Sequence, residues 1–285
     1  MARLIREDPQ SKAIDTRLKE WRQGDLACHE NWFVHIGDGS SGLTPEAADA
    51  EHGVQLLQGY APGLVVLTQT CDIVRSCIDR PFIEVAPLVE VSGEDALQVK
   101  RARRPQYAHI PALCERRLVA HLDRTMTVEK SVVAQWERTA GWSTDAEARD
   151  FAKALARKRA RFAFPDDFVD IVGPLQDRIS NRHEKAAVDG LALRALREIR
   201  VAASPSWDNE IVDLHFSFVR KDEQSTFDGK QWDELLEGWL ALVKPDSQSR
   251  FKTVEGAILQ LKDLTAQEYV ESDPLDLDHL SIPRK

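Results

Sequence analysis

Between Val212 and Phe218 the chain alternates with a period of two. Val212, Leu214, Phe216 and Phe218 are apolar, and Asp213, His215 and Ser217 between them are polar. That rhythm suits a strand with one face in a core. A little further on, Trp232, Leu235, Leu236, Trp239, Leu240 and Val243 recur at helical spacing, behind an Asp228/Gln231 pair with capping-box spacing. A strand and a helix, each with one apolar face, must cover each other, so this part of the chain predicts layered helix and sheet.

Elsewhere the patterns are shorter. Trp32–Ile36 reads as a strand, with Gly37–Gly42 as a loop. Leu64–Thr68, launched by Pro62-Gly63, reads as a buried strand, and Phe82–Leu88 as its neighbour or its partner across one core. Pro87 predicts that this second strand ends there or lies at an edge. Thr144 and Glu147 have capping-box spacing before a basic helix that runs to Arg161, and Pro165 opens another helix carrying Phe168, Ile171, Val172, Leu175 and Ile179. Further helices are predicted over Glu184–Arg197 and from Thr253, Ile199–Val201 is extended, and Thr265/Glu268 repeat the capping spacing.

Charge divides the chain more sharply than its net −9 suggests. Residues 1–95 hold 8 basic and 16 acidic residues, whereas residues 96–161 hold 15 basic and 7 acidic. The average argues against a general nucleic-acid binder, but the middle segment supports local phosphate binding. Its candidates are Arg101, Arg103, Arg104, Arg157, Lys158 and Arg159, with Tyr107 nearby for stacking. No apolar run approaches a membrane span, and the first residues lack a signal-peptide core, so a cytoplasmic protein with four free thiols is expected.

The most distinctive local feature is Val65-Val66-Leu67-Thr68-Gln69-Thr70-Cys71-Asp72, where an apolar strand runs straight into small polar groups. Strand ends hold side chains rigidly, so Cys71 and Asp72 are the candidate catalytic pair, with His35, Arg75 or a residue of the basic middle as the cation a reactive thiolate needs. His35 and Cys71 also resemble the His-Gly then Gln-x-Cys order of caspase-like proteases, but only 34 residues precede His35, too few for that fold. Cys28, His29, Cys71, Cys77, His109, Cys114 and His121 match no zinc spacing. Phosphate-loop, dinucleotide, nucleophile-elbow and zincin motifs are absent, so no cofactor or metal is expected.

Three segments, Gln23-Gly24-Asp25-Leu26, Ala61-Pro62-Gly63-Leu64-Val65-Val66-Leu67-Thr68 and Phe82-Ile83-Glu84-Val85-Ala86-Pro87-Leu88, resemble in order MazF/PemK-type toxins, small SH3-like barrels that cleave RNA. Ala61 stands where that family has the arginine of an Arg-Pro pair, and Val89 where it has Ser or Thr. The resemblance therefore implies the barrel more than the cleavage. The expected architecture is α+β: a small SH3-like β-barrel over residues 1–95, then a mainly helical region with a few strands over 96–285. The expected role is a binding module for a protein partner or nucleic acid, with no membrane, in a toxin-like or phage-defence setting. The alternative is an enzyme using Cys71 and Asp72, a ribonuclease relative or a thiol hydrolase.

Overall fold

The computed structural model describes residues 9–29, 32–102, 104–160, 162–183, 185–221, 226–227 and 229–275. Its contacts divide into two units, Met1–Ala160 and Arg161–Lys285.

The first unit contains, in order, α1 (Pro9–Leu18), β1 (Leu26–Ala27), β2 (Trp32–Asp38), α2 (Pro45–Ala48), β3 (Val54–Tyr60), β4 (Leu64–Val66), α3 (Thr70–Ile73), β5 (Phe82–Glu90), α4 (Gly93–Lys100), β6 (Tyr107–His109), β7 (Leu118–His121), β8 (Met126–Glu129), α5 (Lys130–Val133) and α6 (Asp145–Arg159). Strands β2 and β3 form a separate hairpin, and the others form an antiparallel sheet of order β1-β4-β5-β7-β6, with β8 also on β5. As expected, β4 and β5 are neighbours, with Leu64 opposite Pro87 and Val66 opposite Val85.

The sheet is buried on both faces. Leu64, Val66, Ile83 and Val85 join one core cluster with Leu18 and Val133, and Val65, Leu67, Ala86 and Leu88 join another with Phe151. That is why residues 64–67 read as an unbroken apolar run rather than an alternation. Among the described residues no sheet closes into a barrel, so the closed SH3-like form is not the architecture found.

Nor does the first unit stop near residue 95. β5 pairs with β7 and β8, which draws residues 96–160 into the same sheet. Pro87 also lies inside a central strand. β8 pairs with β5 up to Val85, and β7 pairs from Leu88 onward. The Leu88 amide donates to Gly63 O on the β4 side, so the proline nitrogen faces the other side, at the break between β7 and β8 where no donor is called for.

The second unit is built on α7 (Asp166–Arg182), α8 (Val188–Ala195), β9 (Leu196–Ser204), β10 (Val212–Arg220), β11 (Thr226–Phe227), β12 (Lys230–Gln231), α9 (Trp232–Leu240), β13 (Phe251–Gln260), α10 (Ala266–Glu271) and β14 (Asp273–Pro274). Its four-stranded sheet has the order β13-β10-β9-β14, so it is less dominated by helix than expected. β10 runs parallel to β13, with α9 in the connection. Of the stripe, Trp232, Leu235, Trp239 and Val243 are buried and Leu236 and Leu240 partly so, and Trp239 stacks on Phe218 at 5.1 Å.

Local corrections have local causes. Residues 251–260 form a strand rather than a helix, because β13 completes a parallel pair and its β-branched Thr253 and Val254 suit that pleat. The α9 capping box uses Gln231 and Glu234; Asp228 lies outside the described residues. The α8 helix covers Val188–Ala195 before β9 begins, and Glu184 is also outside the described residues. Among the described residues no helix is long and apolar enough to cross a membrane.

Candidate functional site

The polar cluster after β4 is assembled mainly by structure. Gln23 Nε2 donates to Leu67 O at 2.7 Å, and the Gln23 amide donates to Thr70 Oγ1 at 3.1 Å. Thr68 Oγ1 accepts from the Glu84 amide at 2.7 Å. Trp142 Nε1 donates to Gln23 O at 2.8 Å, and a Cβ on Gly24, whose φ is +90°, would collide with the Trp142 ring. Asp25, only 1% exposed, accepts from the Arg22 amide and from Arg138 at 3.0 Å. Burial pushes its carboxyl above the ordinary carboxylate range, against the pull of Arg138. The Gln-Gly-Asp turn is thus a clamp on the end of β4 and the start of α3.

Lys130 closes the same region from beneath. It is 0% exposed, and its Nζ donates to Asp72 O at 2.9 Å and to Arg75 O at 2.7 Å. Burial lowers its ammonium pKa, while Asp15, Cys77 and Asp72 favour the charge. A buried ammonium needs such acceptors, and here they are the carbonyls at the end of α3.

Cys71 is exposed, and its Sγ lies 3.7 Å from Gln69 Oε1. Asp72 pairs with Arg75 at 3.6 Å. His35 sits on β2, stacked on Phe33, with Nε2 3.4 Å from Thr44 Oγ1. No hydrogen bond or ion pair joins His35 to Cys71 or Asp72 among the described residues. Among the described residues no hydrogen bond or ion pair sets an imidazole or a cation against the Cys71 thiol.

The basic segment gives a different result. Val99, Lys100, Arg101, Ala102 and Arg104, with β6 and α6, surround a cleft of about 570 Å³. Lys100, Arg101, Arg104, Lys153 and Arg157 line it, against the carboxylates Glu147 and Asp150. On α6, Glu147, Asp150, Ala154 and Arg157 share one face by helical spacing, and on β6 Tyr107 and His109 share one face across Ala108.

Several of these charges are already paired, but on the surface. Arg104 meets Asp95 at 2.6 Å and Lys153 meets Asp150 at 3.1 Å, with side chains 46% and 76% exposed. Such pairs are worth about 0–1 kcal/mol and yield to a stronger anion. Glu147 is held by the Ser143 and Thr144 amides in the α6 capping box, which lowers its pKa. Desolvation, helped by Lys100 and opposed by Glu147, lowers the His109 pKa. Tyr107 stands edge-on to His121 at 4.9 Å.

The six basic candidates therefore separate. Arg101, Arg104 and Arg157 line the cleft. Lys158 pairs with Asp123 and Arg159 with Glu84, outside the cleft lining. Arg103 lies outside the described residues. Phe151 and His109 also line it, and the signal for them was the helical spacing of α6 and the alternation of β6.

Among the described residues no group of three His, Cys, Asp or Glu is arranged to hold a metal ion. The chain matches no protein-family model, no curated protein and no solved structure.

Proposed function

We propose that the protein is a recognition module for nucleic acid, and that the α4–β6–α6 cleft is where it binds. One observation carries this reading: segments about fifty residues apart in sequence bring five cations and a tyrosine around a single concavity. Phosphate binding needs charge gathered in this way, not merely a basic composition. The protein as a whole carries −9, so its far field repels a polyanion and binding depends on short-range contacts in the cleft. The setting we assign is toxin-like or antiviral defence, and it rests on the MazF/PemK-type likeness of residues 23–26, 61–68 and 82–88 alone.

The test is fluorescence anisotropy with labelled RNA and DNA at about 50 and 200 mM salt. Binding should weaken with salt, and Arg104→Ala/Arg157→Ala should flatten the salt dependence by about one to two in slope. Absence of binding to every nucleic acid by the folded protein rejects the reading. Binding untouched by the double substitution moves the site elsewhere.

A further inference from the structure

The shape and lining of the cleft narrow this reading, and the argument rests on it. Proteins that read a duplex push a helix or a pair of strands into a groove. Here the cations surround a hollow instead. Its volume, about 570 Å³, is that of a site for one small molecule or one residue of a polymer. A duplex presents its phosphates on a convex surface with its bases stacked inside, so it cannot fill such a hollow.

The interior of the hollow is not built for phosphate alone. Phe151 is buried, and Val99 and Ala154 also line the wall. Apolar walls desolvate an anion without compensating it. They suit a flat ring joined to an anion. Tyr107 offers a ring to stack on, and its place is fixed beforehand by β6 and by the edge of His121, so stacking orders little that was loose. Arg104 and Arg157 have planar guanidinium groups that pair with phosphate oxygens in fork geometry.

We infer that the cleft takes one unpaired nucleotide of a single strand, the base against Tyr107 and the neighbouring phosphates against Arg104 and Arg157. Strand chemistry, RNA or DNA, is a further arm of the test rather than part of the inference.

The experiment uses the whole protein and a short labelled single strand of RNA, the matching DNA, and the duplex of each. Single strands should bind at least about tenfold more tightly than duplexes at equal salt. Free 5′-AMP should displace the single strand at concentrations where inorganic phosphate does not. Tyr107→Ala should weaken single-strand binding by about tenfold and leave its salt slope in place, whereas Tyr107→Phe should bind as the parent does. Equal affinity for duplex and single strand, or displacement by phosphate as effective as by 5′-AMP, overturns the inference while the nucleic-acid reading stands. No binding to any strand removes that reading itself. If Tyr107→Ala does not fold, the 5′-AMP and phosphate competition on the unaltered protein still decides.

Discussion

Lys130 and Arg157 are both cations of the first unit, and they are used in opposite ways. Lys130 is sealed under α3, with its ammonium spent on two backbone carbonyls. Arg157 lies on the face of α6 that lines an open cleft beside other cations. The helix that carries Lys130 contributes Val133 to the core cluster of Leu64 and Val66, and the helix that carries Arg157 contributes Phe151 to that of Val65. A charge that is buried and matched by fixed acceptors holds the chain together. A charge that lines a hollow beside other cations sits where a ligand can reach it. The difference also bears on the polar run after β4, since Lys130 holds the carbonyl of Asp72 at its end.

The yardstick for that contrast lies in the second unit. Trp239 is buried against Phe218 and Trp232, so Trp239→Ala should cost about 3–5 kcal/mol in urea unfolding. Lys130→Met should come next, at about 2–4 kcal/mol, because two carbonyls lose their donor inside the protein. A Lys130→Met protein as stable as the parent would break the comparison, since the lysine would then not be holding α3. Below its melting temperature this variant should still bind nucleic acid, which separates the tether from the cleft.

On the cleft side the pattern should invert. Arg104→Ala and Arg157→Ala should each change stability by no more than about 0.5 kcal/mol, within the range of ordinary surface substitutions, yet weaken binding. The same unfolding and anisotropy measurements check both halves. A large stability loss in either variant would place that arginine with Lys130 as a structural cation.

The sequence showed these two uses unequally. The strand at 212–220 and the helix at 232–240 follow from periodicity because each has one buried face. The run at 64–67 also announced a strand, but its two buried faces hid which residues it would meet. The β13 strand was missed because it is an edge strand with both faces only partly buried, so its sequence carries no clean alternation. At the site, the basic composition of residues 96–161 was visible, and so was Tyr107. Which cations would converge was not, because that depends on α6 packing beside β6 across a long stretch of chain. Lys158 and Arg159 adjoin Arg157 in sequence, yet helical geometry turns them to Asp123 and Glu84. Cys71 drew attention through its neighbours, and the hydrogen bonds from Gln23 to Leu67 and from Lys130 to Asp72 that fix this stretch have no signature in the local sequence.

The smallest effect concerns His109, which lines the cleft with a pKa held below its ordinary 6.5 by burial and by Lys100, while Glu147 pulls the other way. At about pH 7.5 the ring is neutral. An internal phosphodiester bound in the cleft does not itself titrate, but its negative charge favours the imidazolium, so the bound protein takes up protons more readily than the free one. Affinity should therefore rise as pH falls from about 7.5 to 5.5, by a few-fold at most because one proton is shared. Stability moves the other way. Below 6.5 the unfolded chain protonates this histidine before the folded protein does, so acid weakens the fold through that window until the lowered folded pKa is passed. Binding must then be read well below the melting temperature at each pH. His109→Gln should flatten the rise, whereas His121, whose pKa is also lowered by burial, does not line the cleft. An identical pH profile in His109→Gln would show that no phosphate comes near this ring, and would confine the anion to the arginine side of the cleft.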